Sequence, residues 1–234
     1  WYQIQSRTGG IPESALGVIA AYPGVGKTAL LSSALMAIAK GGKPVGLCSL
    51  EMSSAQLICT LIGRESGLGV RRVREGGKTS EQHRRIAEVG SRIANLPLYL
   101  SCGSMSVDEV VGLARAWRRK HGIRLVGVDY LQLLRRDVHE ESRRIGIDGM
   151  VQRLKTLAQS GITVMVTSQL ARQGQVKRPL HELLKESGSI FEAADMVLTL
   201  DRPKFRKDEP CGECGGSEQR GPYCHTCGGT GRVS

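Results

Sequence analysis

Short apolar runs alternate with longer amphipathic or polar stretches along this chain, a rhythm that predicts strands alternating with helices and a mostly parallel sheet. Residues 16–20 (Leu-Gly-Val-Ile-Ala) read as a buried strand, and the Ala/Leu-rich stretch from Ala29 to Lys40 reads as a helix stopped by Gly41-Gly42. Residues 44–50 predict a second strand. Ser53 with Gln56 three positions on is a capping box, which opens a helix running to about Glu65. Residues 64–92 are polar and contain Gly76-Gly77, so a loop is expected there, followed by a helix from about Ser80 to Ala94. Pro97 to Ser101 is another strand. Ser106 with Glu109 is a second capping box, opening a helix to about Lys120. Two further strands are expected, over Ile123–Tyr130 and over Ile162–Thr167, the latter leading into Ser168-Gln169.

The 234 residues suffice for one large α/β domain with a small appendage, not for two full domains. Hydrophobic residues at 40% and charged residues at 24% exclude a disordered chain. No apolar stretch approaches the ~18 residues of a transmembrane helix, and the first residues carry no signal-peptide pattern. A soluble, intracellular protein is expected. The 33 Lys and Arg against 22 Asp and Glu leave +11, which points first to nucleic acid as a partner and second to an anionic membrane surface. From Arg206 onward Arg206, Lys207, Arg220 and Arg232 balance Asp208, Glu209, Glu213 and Glu218, so the whole excess belongs to the first 205 residues.

The candidate chemistry begins at Ala21-Tyr22-Pro23-Gly24-Val25-Gly26-Lys27-Thr28. Apart from Ala21 in place of a first glycine, this is the phosphate-binding loop of P-loop NTPases in its required setting between strand and helix. Within the loop Pro23, Gly24, Val25, Gly26, Lys27, Thr28 and Ala29, the backbone N–H groups of Gly24 to Thr28 converge on phosphates at a positive helix end. Lys27 reaches the β/γ oxygens of ATP and Thr28 ligates Mg²⁺. Glu51 stands at the carboxyl end of a strand, where ligands bind in open α/β sheets; by position alone it could equally be a solvated carboxylate beside a helix start. Asp129 closes an apolar strand, the arrangement of an aspartate that orders a Mg²⁺ shell. Two strand signals lie between Lys27 and Asp129, which suggests a RecA-like ATPase core rather than a small nucleotide kinase. Gln169 could contact a γ-phosphate, although spacing alone favours an ordinary polar strand end.

Seven cysteines fall into two groups. Cys48, Cys59 and Cys102 sit singly among apolar neighbours, as small buried hydrophobes do. Cys211-x2-Cys214 and Cys224-x2-Cys227 form two knuckles whose thiolates can surround a structural Zn²⁺, a zinc-ribbon-like segment. Disulfides compete with that reading, but no secretory signal accompanies them. His225 is read as a bystander. The second knuckle resembles one repeat of the DnaJ-type zinc module over eight residues, which by itself carries no function.

Five ordered motifs carry a longer resemblance. Gly9-Gly10-Ile11-Pro12, Leu50-Glu51-Met52-Ser53, Val128-Asp129-Tyr130-Leu131-Gln132, Thr167-Ser168-Gln169-Leu170, and Lys177-Arg178-Pro179 through Lys185-Glu186-Ser187-Gly188 together resemble the C-terminal motor domain of DnaB-type replicative helicases over roughly residues 9–202. That resemblance implies an ATP hydrolase that translocates on single-stranded DNA at a replication fork and unwinds duplex. Glu51 would polarise the attacking water, Asp129 would serve Mg²⁺, and Gln169 would contact the γ-phosphate. Lys185, Glu186 and Gly188 would lie in a segment lining the channel of a hexameric ring. The arginines 135, 136, 143 and 144 after the Asp129 strand, and Arg172, Lys177 and Arg178 after the Gln169 strand, could pair with DNA phosphates in the same channel, or form a solvated basic face.

Within that frame the expected organisation is a RecA-like core over residues 1–205 and a four-cysteine zinc segment over residues 206–234, read as an insertion in a hairpin that follows the strand at about Met196–Leu200. The chain looks like a fragment cut at both ends, stopping before the family's arginine finger. It would then bind ATP and hydrolyse it poorly alone. A primase or a helicase loader is a further partner to expect, with no membrane, in the cytoplasm of a bacterium or a phage-infected cell. Competing readings are a RecA/RadA-like recombination or repair ATPase and a non-motor, ATP-switched DNA-binding accessory or loader.

Overall fold

The computed structural model describes residue 6 and residues 9–134, 143–170 and 189–200, with only the backbone of 143–146 and 189. The chain divides into two units, Trp1–Leu200 and Asp201–Ser234, and every described residue belongs to the first. In chain order the elements are β1 (Leu16–Ala21), α1 (Lys27–Lys40), β2 (Val45–Ser49), α2 (Ser54–Glu65), α3 (Val70–Arg74), α4 (Ser80–Ala94), β3 (Leu98–Cys102), α5 (Val107–His121), β4 (Leu125–Asp129), a 3-10 turn (Leu131–Leu133), α6 (Arg143–Gln159), β5 (Thr163–Gln169), α7 (Ser189–Ala193) and β6 (Met196–Leu200).

The strands form one sheet in the order β3-β2-β4-β5-β1-β6. Every pairing in it is parallel. Alternation along each strand sends side chains to two cores, as a sheet covered on both faces requires. Val18, Ala20, Val126, Val128, Val164 and Val166 pack with Val110 and Ala114 of α5 and with Val151, Leu154 and Leu157 of α6. On the opposite face Ile19, Val45, Leu47 and Met165 pack with Leu31 and Leu35 of α1, Leu57 and Leu61 of α2, and Val89 and Ile93 of α4. The result is three layers, helix on sheet on helix.

Both expected capping boxes are formed, Ser53 with Gln56 and Ser106 with Glu109. The helix expected from Ser80 to Ala94 has those bounds, with Thr79 as its N-cap. Three readings change. Arg143 and Arg144, expected in the stretch after the Asp129 strand, open the backbone of helix α6, which the sequence pattern did not predict. A helix, α3, stands where a loop was expected. It rides directly on α2: a Cβ on Gly63 would lie 2.8–2.9 Å from the backbone of Gly69 and Val70. The last expected strand also continues past Thr167 through Ser168 to Gln169, because β1 pairs with it as far as Ala21↔Gln169. Of the single cysteines, Cys48 is fully buried, and burial pushes its thiol up to about 12, consistent with an inert packing residue.

Gly127 of β4 is where α1 comes down on the sheet. A Cβ there would meet Leu35 at 2.9 Å and Leu31 at 3.1 Å. Close packing at this point fixes the helix that begins with Lys27.

Candidate active site

A parallel sheet delivers the carboxyl ends of its strands to one edge, where open α/β proteins bind ligands. Four neighbouring strands meet there: β2 leads to Glu51, β4 ends in Asp129, β5 ends in Gln169, and β1 runs into the loop before Lys27.

The loop turns on glycine. Gly24 has φ 78° and Gly26 has φ 118°, the left-handed region that other residues resist. Nothing lies within 4 Å of a Cβ built on Gly24, so conformation and not space demands glycine at this position. Gly26 caps α1 without any side-chain hydrogen bond, leaving the first-turn N–H groups for a ligand. Thr28 and Ala29 continue that first turn, and Pro23 and Val25 complete the loop. The Lys27 side chain is 8% exposed, and its Nζ donates to the carbonyls of Ala21 (3.2 Å) and Tyr22 (3.4 Å). Burial lowers the Lys27 pKa, while the Asp129 and Glu51 charges push it back up.

Asp129 is 1% exposed. Its Oδ1 accepts from the Thr167 hydroxyl of β5 at 2.5 Å. Its Oδ2 is buried and has no hydrogen-bond partner among the described residues. A buried carboxylate oxygen without a partner is costly unless a cation or water completes it, so this donor set fits a hard divalent cation. The Asp129–Tyr130 peptide is cis.

Glu51 is exposed at the same rim. The Leu50 N–H donates to the Asp129 carbonyl at 2.7 Å, and Ser49 pairs with Asp129, so the two acidic residues follow strands locked in register. The Ser49 hydroxyl closes the turn after β2 through the Met52 backbone. Tyr130 stands nearby; partial burial and then the Glu51 and Asp129 charges raise its phenol pKa. Gln169, at the end of β5, is exposed, and its side chain makes no hydrogen bond among the described residues.

The structure therefore brings Lys27, Glu51, Asp129 and Gln169 to one edge. It also adds two residues whose roles the sequence did not reveal, Thr167 and Gln132. Both lie inside the motifs that carry the resemblance, but a threonine within a strand and a glutamine within a turn give no spacing signal of their own. The DNA-binding candidates Arg135, Arg136, Arg172, Lys177, Arg178, Lys185, Glu186 and Gly188 lie outside the described residues, as do Cys211, Cys214, Cys224 and Cys227. Among the described residues no cluster of His, Cys, Asp and Glu is large enough to cage a metal by itself. None of the described helices is long and apolar enough to cross a membrane.

A glycine-turned phosphate loop between β1 and α1, with an acidic strand end beside it in a parallel sheet of this order, defines a RecA-like P-loop core. Within that class, the chain belongs to the family of the DnaB-like helicase C terminal domain, whose model matches residues 1–220. It is 36% identical to the replicative DNA helicase DnaB of Mycobacterium intracellulare over 170 residues, covering 70% of this chain and 30% of that protein. It is 31% identical to the replicative DNA helicase DnaB of Geobacillus stearothermophilus over 210 residues, covering 87% of this chain and 46% of the relative. The chain thus spans less than half the length of these relatives. Among solved structures, it resembles one described as an ATPase domain with a TM-score of 0.75 at 28% identity, covering 86% of this chain and 80% of that one. A DnaB-like replicative helicase, whose structure is described together with its interactions with primase, matches with a TM-score of 0.79 at 29% identity. That match covers 86% of this chain and 52% of the other.

Proposed function

We propose that this chain is the motor of a replicative DNA helicase, hydrolysing ATP to move along single-stranded DNA and part the duplex. The observation that carries the reading is the buried, partnerless Oδ2 of Asp129 at the same sheet edge as the Lys27 loop. An anion cradle and an incomplete cation ligand side by side suit a metal–triphosphate pair.

In this reading the backbone N–H groups of Gly24 to Thr28 and the Lys27 ammonium hold the phosphates, in the loop from Pro23 to Ala29. Thr28 and Asp129 would hold Mg²⁺, which would supply positive charge to offset the charge developing on the phosphates. Glu51 orients and polarises the attacking water. Gln169 contacts the γ-phosphate. Arg135, Arg136, Arg172, Lys177 and Arg178, with the Lys185–Gly188 segment, track the DNA backbone, a role that part of the +11 excess suits.

The assembly is a hexameric ring in the cytoplasm, with ATP bound between subunits and with a primase or a loader as further partners. Residues 1–205 form the motor core. Residues 206–234 form a segment in which Cys211, Cys214, Cys224 and Cys227 bind a structural Zn²⁺; two Cys-x2-Cys pairs separated by nine residues support that assignment.

Unwinding of a forked duplex, together with particle sizing with ATP and single-stranded DNA, tests the reading. ATP-dependent strand separation by a six-subunit particle is expected. A chain that binds DNA under ATP control but never separates strands would instead be a switch or loader.

A further inference from the structure

β4 and β5 stay paired only as far as Val128↔Val166. Beyond that point the last three residues of β5 lose their strand neighbour on the β4 side, while β1 still holds the other side at Ala21↔Gln169. Exposed strand ends without a partner fray, which would leave the Gln169 side chain poorly aimed.

The gap is filled by side chains from β4 and the turn after it. The Asp129 carboxylate takes the Thr167 hydroxyl. The Gln132 carboxamide takes the next two residues: its Nε2 donates to the Ser168 Oγ at 2.9 Å and to the Gln169 carbonyl at 3.2 Å, while its Oε1 accepts from the Gln169 N–H at 3.3 Å. A carboxamide carries one acceptor face and one donor face, as a peptide group does, so it stands in for the missing strand residue. The 3-10 turn supplies it from a fixed base, because Leu131 is 1% exposed and Leu134 is 4% exposed, both in the core. Glutamine is the residue this needs. Glutamate keeps the length but would set a carboxylate oxygen against the Gln169 carbonyl and lose the donor.

We propose that Gln132 is a positioning residue for the nucleotide site, clamping the Gln169 backbone so that the exposed Gln169 carboxamide faces the γ-phosphate. This rests on the reading of Gln169 as the γ-phosphate contact. The clamp also ties the turn after Asp129 to the end of β5, so the residue serving the metal and the residue serving the terminal phosphate move together.

The test uses the full chain with Mg²⁺ and measures equilibrium affinity for fluorescent ADP and for a fluorescent, non-hydrolysable ATP analogue. Gln132→Glu, Gln132→Leu and Gln169→Ala are compared with the unaltered chain. Both Gln132 variants are expected to lose about tenfold in analogue affinity, the scale of one hydrogen bond to a charged group, with ADP affinity held and the thermal midpoint lowered modestly as Ser168 and the Gln169 backbone lose a partner. Gln169→Ala is expected to show the same loss, and adding Gln132→Glu to it should cost nothing more. Wild-type selectivity in the Gln132 variants, with selectivity lost in Gln169→Ala, overturns the clamp and leaves the Gln169 reading standing. Equal loss of ADP and analogue overturns it too, since that is a general structural defect. Unchanged selectivity in Gln169→Ala overturns the Gln169 reading and the clamp with it.

Discussion

The Thr167 hydroxyl of β5 donates to one oxygen of the Asp129 carboxylate on β4 at 2.5 Å and leaves the other oxygen buried without a partner among the described residues. A carboxylate fixed on one side and open on the other is oriented before any ligand arrives. On the proposed role of Asp129, that arrangement would link adjacent strands of the sheet to the ordering of a cation.

Thr167→Val keeps the shape and removes the donor. Asp129 Oδ1 then joins Oδ2 as a buried acceptor without a partner, at a cost of about 1–3 kcal/mol in stability. Denaturant unfolding should show this loss, and titration of nucleotide binding with Mg²⁺ should need more metal to reach half-saturation. Unchanged stability and unchanged metal dependence would show that the hydroxyl is idle.

Lys27 illustrates a functional residue that costs the fold something. Its pKa is lowered from 10.5 chiefly by burial, so the charged form is disfavoured in the folded chain. That cost is present in full below the folded pKa and fades as pH rises from there toward the unfolded value. Lys27→Met should abolish nucleotide binding yet melt no lower than wild type at pH 7. The difference in melting temperature should shrink in wild type's favour as pH climbs toward 10.5. A variant that melts well below wild type at pH 7 would assign Lys27 a net structural role.

Gly46 of β2 faces Trp117 of α5 so closely that a Cβ would sit 2.6 Å from the ring. Trp117 is partly buried against the core and lies beside Tyr99 at a ring separation of 6.5 Å, so relieving the clash means moving a packed ring. Gly46→Ala should therefore destabilise by about 1–3 kcal/mol, as overpacking does, while leaving the nucleotide site intact. Thermal unfolding with and without ADP reads both effects. A midpoint equal to wild type would mean that the helix shifts freely.

The proposed zinc assignment for Cys211, Cys214, Cys224 and Cys227 predicts one zinc per chain by elemental mass spectrometry. Cys224→Ser should lose the metal, with Cys211→Ser giving the same result. Metal-free chain purified without chelator would rule the zinc assignment out.

Much of the fold was legible because its strands are apolar runs and its helices announce themselves with caps such as Ser53–Gln56 and Ser106–Glu109. The phosphate loop was legible because glycine spacing and the strand–helix setting are local. Strand order was not, since pairing depends on contacts far apart in sequence. Helix α3 was hidden by its composition: Val70-Arg-Arg-Val-Arg74 carries only one buried side chain, Val73, and its docking depends on the absence of a side chain at Gly63. Gln132 and Thr167 were invisible for a related reason. Their importance arises where β4 and β5 part, a boundary that exists only once the sheet is assembled.

The most direct test of the motor assignment is ATP turnover with single-stranded DNA by the assembled protein, wild type against Glu51→Gln. DNA-stimulated turnover is predicted for wild type, with a loss of about two to three orders of magnitude in the variant, the scale expected for removing a general base. Affinity for Mg²⁺-ATP should remain near wild type, because Glu51 lies at the rim and not in the phosphate loop. Turnover by Glu51→Gln at the wild-type rate would contradict the assignment of this sheet edge as the hydrolytic site.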